Sequence, residues 1–131
     1  MVKEGKKTGG FLLKQRAFLK LYLLRYIDRE KKYGREFLDE LREHFKEFGY
    51  VPPHSEIYKV LHELTRDELV KREKQIKGDP KHDFQEIIFY KLTEKGKDEM
   101  ELYRKQMKVE LERCEGLIRK AIEDHYGPTA I

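Results

Sequence analysis

PPHSEIYKVLHELTRDELVKREKQIKGDPKHDFQEIIFYKL, residues 52–92, is the stretch that decides the fold. Pro52-Pro53 suits the first turn of a helix, where a missing N–H costs nothing. The helix it opens has an apolar inner face at Ile57, Val60/Leu61 and Leu64 and an outer face at Ser55, Tyr58/Lys59, His62 and Arg66, and it ends near Arg66 to Glu68. Two strand-like segments follow, residues 69–76 and 84–92, the second rich in Ile, Phe and Tyr. Lys77-Gly78-Asp79-Pro80-Lys81-His82-Asp83 between them is a cluster of turn formers. Together the two segments predict a β-hairpin with a long, Lys-rich tip.

Working outward from there, residues 33–48 predict a helix with a stripe at Phe37/Leu38, Leu41, Phe45 and Phe48, stopped by Gly49. Before a break near residues 28–32, a first helix follows Gly10, with Leu13, Ala17, Leu21 and Leu24 in helical spacing and Phe11, Phe18 and Tyr22 beside them. Residues 1–10 are Gly- and Lys-rich and read as a flexible basic arm. Downstream, residues 94–126 contain no Pro and predict one long helix. Its apolar residues Met100, Tyr103, Met107, Leu111, Cys114, Ile118 and Ile122 step by three or four, close to a heptad seam. Rising about 1.5 Å per residue, that helix outreaches a domain whose radius of gyration is roughly 14 Å. The far half of its stripe needs another cover, and the same helix of a second copy supplies one, so these seven residues are the expected dimer interface. Residues 127–131 form a short tail.

The order helix, helix, helix, hairpin, helix is that of a winged helix-turn-helix. The fold class is therefore α+β, mainly helical, with a long C-terminal dimerisation helix. The units are an arm (1–10), a winged-helix DNA-binding domain (11–93), the dimerisation helix (94–126) and the tail.

Composition narrows the function. The chain has 131 residues, 41% of them charged and 38% hydrophobic, with a net charge of +4. Residues 1–93 hold 21 of the basic and 16 of the acidic residues, and residues 94–126 hold 8 and 9. The positive field thus belongs to the winged-helix part. A single cysteine excludes a disulfide framework. No apolar run approaches the 18 or so residues of a membrane span, and no signal peptide is evident. A reduced, cytoplasmic location follows, with no membrane partner. Catalysis is not expected. There is no Gly-rich phosphate loop, and Ser55, the only serine, lacks a nucleophile-elbow setting. His44, His54, His62, His82 and His125 form no i, i+4 pair and no Cys/His cluster, so neither a metal nor a cofactor is expected. Cys114 sits on the seam and reads as a small buried hydrophobe.

In a winged helix the third helix enters the major groove. Here its outer face carries His54, Ser55, Tyr58, Lys59 and His62, residue types that bond phosphates or base edges. An exposed Lys-rich turn is by itself ordinary solvated surface. Three basic or polar surfaces in this order, on the arm, the third helix and the wing, point to nucleic acid.

The segments Phe11-Leu12-Leu13-Lys14-Gln15-Arg16-Ala17-Phe18-Leu19-Lys20-Leu21-Tyr22, Phe45-Lys46-Glu47-Phe48-Gly49-Tyr50, His54-Ser55-Glu56-Ile57-Tyr58 with Leu61-His62-Glu63-Leu64, and Tyr103-Arg104-Lys105-Gln106-Met107-Lys108-Val109-Glu110-Leu111-Glu112-Arg113-Cys114 resemble the replication terminator protein family of Bacillus-type bacteria. The likeness spans about residues 8–125. It implies a winged-helix homodimer joined by antiparallel C-terminal helices. It implies sequence-specific binding to double-stranded chromosomal terminator sites, two dimers side by side, and polar arrest of replication forks by blocking the replicative helicase. By the same resemblance Lys14 and Arg16, then His54, Ser55, Tyr58 and Lys59, then Lys71, Lys74, Lys77 and Lys81 contact DNA, and Glu30 and Tyr33 match a helicase-facing patch. The wing tip at residues 78–82 is longer than the family's usual form, and Pro53 stands in place of a polar residue. Tyr90-Lys91-Leu92-Thr93-Glu94-Lys95-Gly96 and Tyr33-Gly34 resemble PadR-type transcriptional regulators, also dimeric winged helices. A PadR-like repressor is the alternative expectation.

Overall fold

The structure is a computed structural model that describes residues 10–29, 34–78 and 84–127. Its elements are α1 (Gln15–Arg29), α2 (Gly34–His44), a 3-10 turn (Lys46–Phe48), α3 (His54–Arg66), β1 (Val70–Gly78), β2 (Phe84–Leu92) and α4 (Glu94–Tyr126). The arm (1–9), Glu30, Tyr33, Lys81 and the end of the tail lie outside the described residues.

The core gathers one face from each helix and the base of the hairpin. Leu19, Leu23, Leu24 and Ile27 of α1 meet Phe37, Leu38 and Leu41 of α2 and Ile57, Val60, Leu61 and Leu64 of α3, closed by Leu69, Val70, Tyr90 and Met100. The periodicity along α1 predicts a stripe through Leu13, Ala17, Leu21 and Leu24. Of these only Leu24 is buried, and the fully enclosed residues are Leu19 and Leu23. The helix also begins at Gln15, not directly after Gly10, and leaves Phe11 outside, largely exposed.

Helix α2 is shorter than the sequence pattern predicts. After His44 the chain tightens into the 3-10 turn, and Gly49, at φ 75°, closes it by donating its N–H to the Lys46 carbonyl at 3.0 Å. The tighter winding turns Phe48 away from the stripe and leaves it 78% exposed. Phe45 keeps its place, its ring 5.1 Å from Phe18 and 4.9 Å from Tyr22.

The two strands pair antiparallel, Val70 opposite Leu92 through Gly78 opposite Phe84. Strand β1 starts one residue later and runs two residues further than its sequence pattern indicates. Thr93 joins the hairpin to α4. Its hydroxyl oxygen accepts the Gly96 N–H at 2.9 Å, and the hydroxyl donates to the Glu68 carbonyl at 2.7 Å. Gly96 lets α4 approach this corner closely. A Cβ there would lie 1.9 Å from the Leu69 carbonyl oxygen, so no other residue fits. From that corner α4 runs for 33 residues without interruption.

Candidate nucleic-acid interface

Helix α3 is set at its start. Pro53 caps it in an extended conformation, and the Arg42 guanidinium of α2 donates to the Pro52 carbonyl at 2.9 Å, fixing the turn between the two helices. With Ile57, Val60, Leu61 and Leu64 buried, the opposite face must be outside. His54, Ser55, Tyr58, Lys59, His62 and Arg66 are all exposed there, Tyr58 at 46%.

The root of the arm meets this helix. Lys14 is exposed. Arg16 reaches back to α3, where its Nε donates to Glu56 at 3.0 Å and its Nη1 to Glu63 at 3.4 Å. The Glu56 carboxylate also faces the Lys59 ammonium at 3.4 Å. The Arg16 hydrogen bond, opposed by partial burial and reinforced by the charges of Arg16 and Lys59, holds the Glu56 carboxyl below the usual carboxylate range. Gln15 accepts from the Tyr50 hydroxyl at 2.7 Å, a second tie between this root and the turn before α3.

The strand register sorts the wing cations between two faces, because side chains alternate along a strand. Val70 and Tyr90 are buried, so Arg72 and Lys74 share their side, the side continuous with α3. Lys71 takes the other, next to the ion pair of Lys91 with Glu73 at 3.0 Å. Lys74 pairs diagonally with Glu86 at 3.2 Å. Lys77 lies within β1, and Lys81 falls outside the described residues. Arg72 is absent from the cations expected at the site, yet it lies on the same side of the wing as the buried Val70 and Tyr90. It stands opposite Tyr90, donates toward the Tyr90 hydroxyl, and shares this corner with Tyr58. Burial raises the Tyr90 pKa, and the Arg72 charge works against that rise. The signal for it was the two-residue alternation, once the buried side of β1 is known.

The seam of α4 divides along its length. Met100 belongs to the core, and Tyr103 donates its hydroxyl to the Ala17 carbonyl at 2.8 Å. Met107 and Cys114 are buried by the chain itself, and Leu111 is half-buried. Ile118 and Ile122 are 49% and 44% exposed. Among the described residues no group of His, Cys, Asp and Glu is placed to hold a metal, and no helix is long and apolar enough to cross a membrane.

A sequence model of the replication terminator protein family matches residues 10–126. The chain belongs to that family. The replication terminator relatives include the replication termination proteins of Bacillus subtilis strain 168 and of Bacillus vallismortis, each 44% identical over 126 residues, which is 96% of this chain and the whole of the relative. Among solved structures, a Streptococcus transcriptional regulator superposes with a TM-score of 0.60 at 20% identity, covering 80% of this chain and 98% of that one. PadR of Bacillus subtilis in complex with operator DNA gives a TM-score of 0.53 at 26% identity, over 66% of this chain and 46% of PadR. A PadR-like regulator of Bacillus cereus gives 0.59 at 21%, over 79% and 94%. This terminator-family chain therefore has a PadR-like, DNA-binding winged-helix fold, and its family is one of DNA-binding proteins rather than enzymes.

Proposed function

We propose that this protein binds chromosomal terminator sites as a homodimer and arrests replication forks approaching from one side by blocking the replicative helicase. The observation that carries this is the 44% identity over 126 residues, which span 96% of this chain and the whole of a replication termination protein. In this reading α3 lies in the major groove with His54, Ser55, Tyr58, Lys59 and His62 toward the bases and flanking phosphates. Lys14 and Arg16 from the arm, and Lys71, Arg72, Lys74, Lys77 and Lys81 from the wing, hold the backbone on either side. Two copies clasp through the distal seam of α4, with Leu111, Ile118 and Ile122 at its centre, and two such dimers sit side by side on one site. Glu30 and Tyr33 face the helicase. The protein works in the cytoplasm, on the nucleoid.

The deciding experiment is a fork-arrest assay with the bound site in both orientations. Arrest in one orientation only supports the terminator. Site-specific binding without arrest in either favours a PadR-like repressor, the alternative that the resemblance to PadR on its operator keeps open. A finer expectation concerns α3. Tyr58→Ala lowers the preference for a selected site over random duplex by about 1–3 kcal/mol, read by competition binding. Unchanged discrimination removes Tyr58 from the reading surface.

A further inference from the structure

The flank of α3 that meets the root of the arm carries a carboxylate between two cations. Both oxygens of Glu56 are engaged, one by Arg16 Nε at 3.0 Å and the other by Lys59 Nζ at 3.4 Å. Two turns further along, Glu63 takes a second nitrogen of Arg16 at 3.4 Å. Arg16 and Lys59 come from different elements, and both belong to the surface that the proposed function turns toward the duplex. Their charges are already answered by the protein's own carboxylates before any DNA arrives. The electrostatic part of non-specific binding comes from counterions set free when Lys and Arg meet phosphate. A cation taken from an internal carboxylate contributes little to that release, and it leaves the freed carboxylate facing a phosphate backbone of like charge.

We propose that Glu56 is a specificity-determining residue, whose ion pairs with Arg16 and Lys59 keep these cations from a duplex of arbitrary sequence and release them only where α3 gains base contacts. On a selected site those contacts offset the broken pairs, and the freed carboxylate can accept from an exposed base amino group such as cytosine N4. On random duplex nothing offsets them. The inference rests on the reading of α3 as the DNA-facing helix.

The test compares the full chain with Glu56→Gln on two probes: a random-sequence duplex, and a duplex recovered from a random pool by selection with the unchanged protein. The variant is expected to bind random duplex severalfold more tightly. Its log–log salt slope on that probe should steepen by about 0.9 for each cation set free. Affinity for the selected duplex changes little, so the ratio between the two falls. Two controls separate this from a general change in net charge. Asp98→Asn, on the exposed side of α4, removes one negative charge without touching Arg16 and should not reproduce the gain. In an Arg16→Gln background, the gain from Glu56→Gln should shrink. A thermal midpoint for each variant confirms that it is folded. An unaltered salt slope, a gain matched by Asp98→Asn, or a loss of affinity for both probes overturns the inference. If the unchanged protein shows no salt-dependent binding to any duplex, the DNA-facing reading of α3 fails first, and that result is separable from the others.

Discussion

The base of the hairpin with α1–α3 and the distal half of α4 are built from similar residues, and they meet opposite fates within one chain. Phe37, Leu19 and Leu23 are fully enclosed. Ile118 and Ile122, equally apolar and equally periodic, stay about half exposed although their helix is unbroken. Helical periodicity therefore says which side of a helix needs covering, while the source of the cover depends on reach. Near Gly96 the helix is pinned against the Leu69 carbonyl and its own domain supplies the cover. Further out the domain ends, the seam continues, and a groove of about 390 Å³ opens along it, lined by Leu117, Ile118, Ala121 and Ile122 with Phe11 and Tyr126. A second α4 is the cover that the proposed homodimer supplies.

The largest effect expected from breaking this comparison lies on the enclosed side. Phe37→Ala removes a ring that stacks on Tyr26 at 6.5 Å between centroids and tilts against Tyr90 at 6.0 Å. A loss of about 3–5 kcal/mol is expected in chemical denaturation, since Phe→Ala in a packed core forfeits both transfer energy and packing. A loss below about 1 kcal/mol would show that the core relaxes around the missing ring.

The complementary change sits at the far end of α4. Ile118→Asp adds a charge where the isolated chain is open to water, so the fold of a single copy should hardly notice it. In the homodimer the same charge is buried without a partner, a cost that typically reaches about 3–5 kcal/mol. Sedimentation should give a folded monomer, and the thermal midpoint should lose its dependence on protein concentration. A stable dimer of this variant would break the comparison, because the distal seam would then not be the interface.

How far the sequence revealed all this varied for physical reasons. The long helix was legible from Glu94 to Tyr126 because Thr93 caps it and no Pro interrupts it. The two faces of α3 were legible because polar and apolar residues separate cleanly at 3.6-residue spacing. Helix α1 was not. Its residues are apolar on several sides, since α3, β2 and α4 all pack on it, and periodicity then cannot choose between the stripe at Leu21 and the one at Leu19 and Leu23. Phe48 was misplaced because a 3-10 turn changes the angular step that the stripe assumes. Arg72 was hidden by counting cations along the wing without knowing which side of β1 faces inward. The Arg16–Glu56 pair joins residues 40 apart in sequence, and no local spacing announces it.

The smallest expected effect lies at the junction of the two regions, on Tyr103. Its hydroxyl donates to the Ala17 carbonyl, and the Lys20 ammonium sits 4.4 Å above its ring, so this one side chain ties α1 to α4. Burial pushes its pKa up to about 12, against about 10 for a free tyrosine. Between those values the folded chain holds a proton that the unfolded chain has released, so raising the pH favours unfolding. The stabilisation Tyr103 contributes is complete below about pH 10 and is lost as the pH climbs toward 12. Tyr103→Phe removes the hydrogen bond and the titrating group together. At neutral pH it should cost about 1 kcal/mol, the net worth of one such bond. Its thermal midpoint should then fall less steeply than that of the unchanged protein above pH 10, so the gap between the two narrows as the pH rises. A gap that stays constant to pH 11.5 would mean that the hydroxyl titrates as if in water, and that the junction is held by packing around Met100 and Met107 instead.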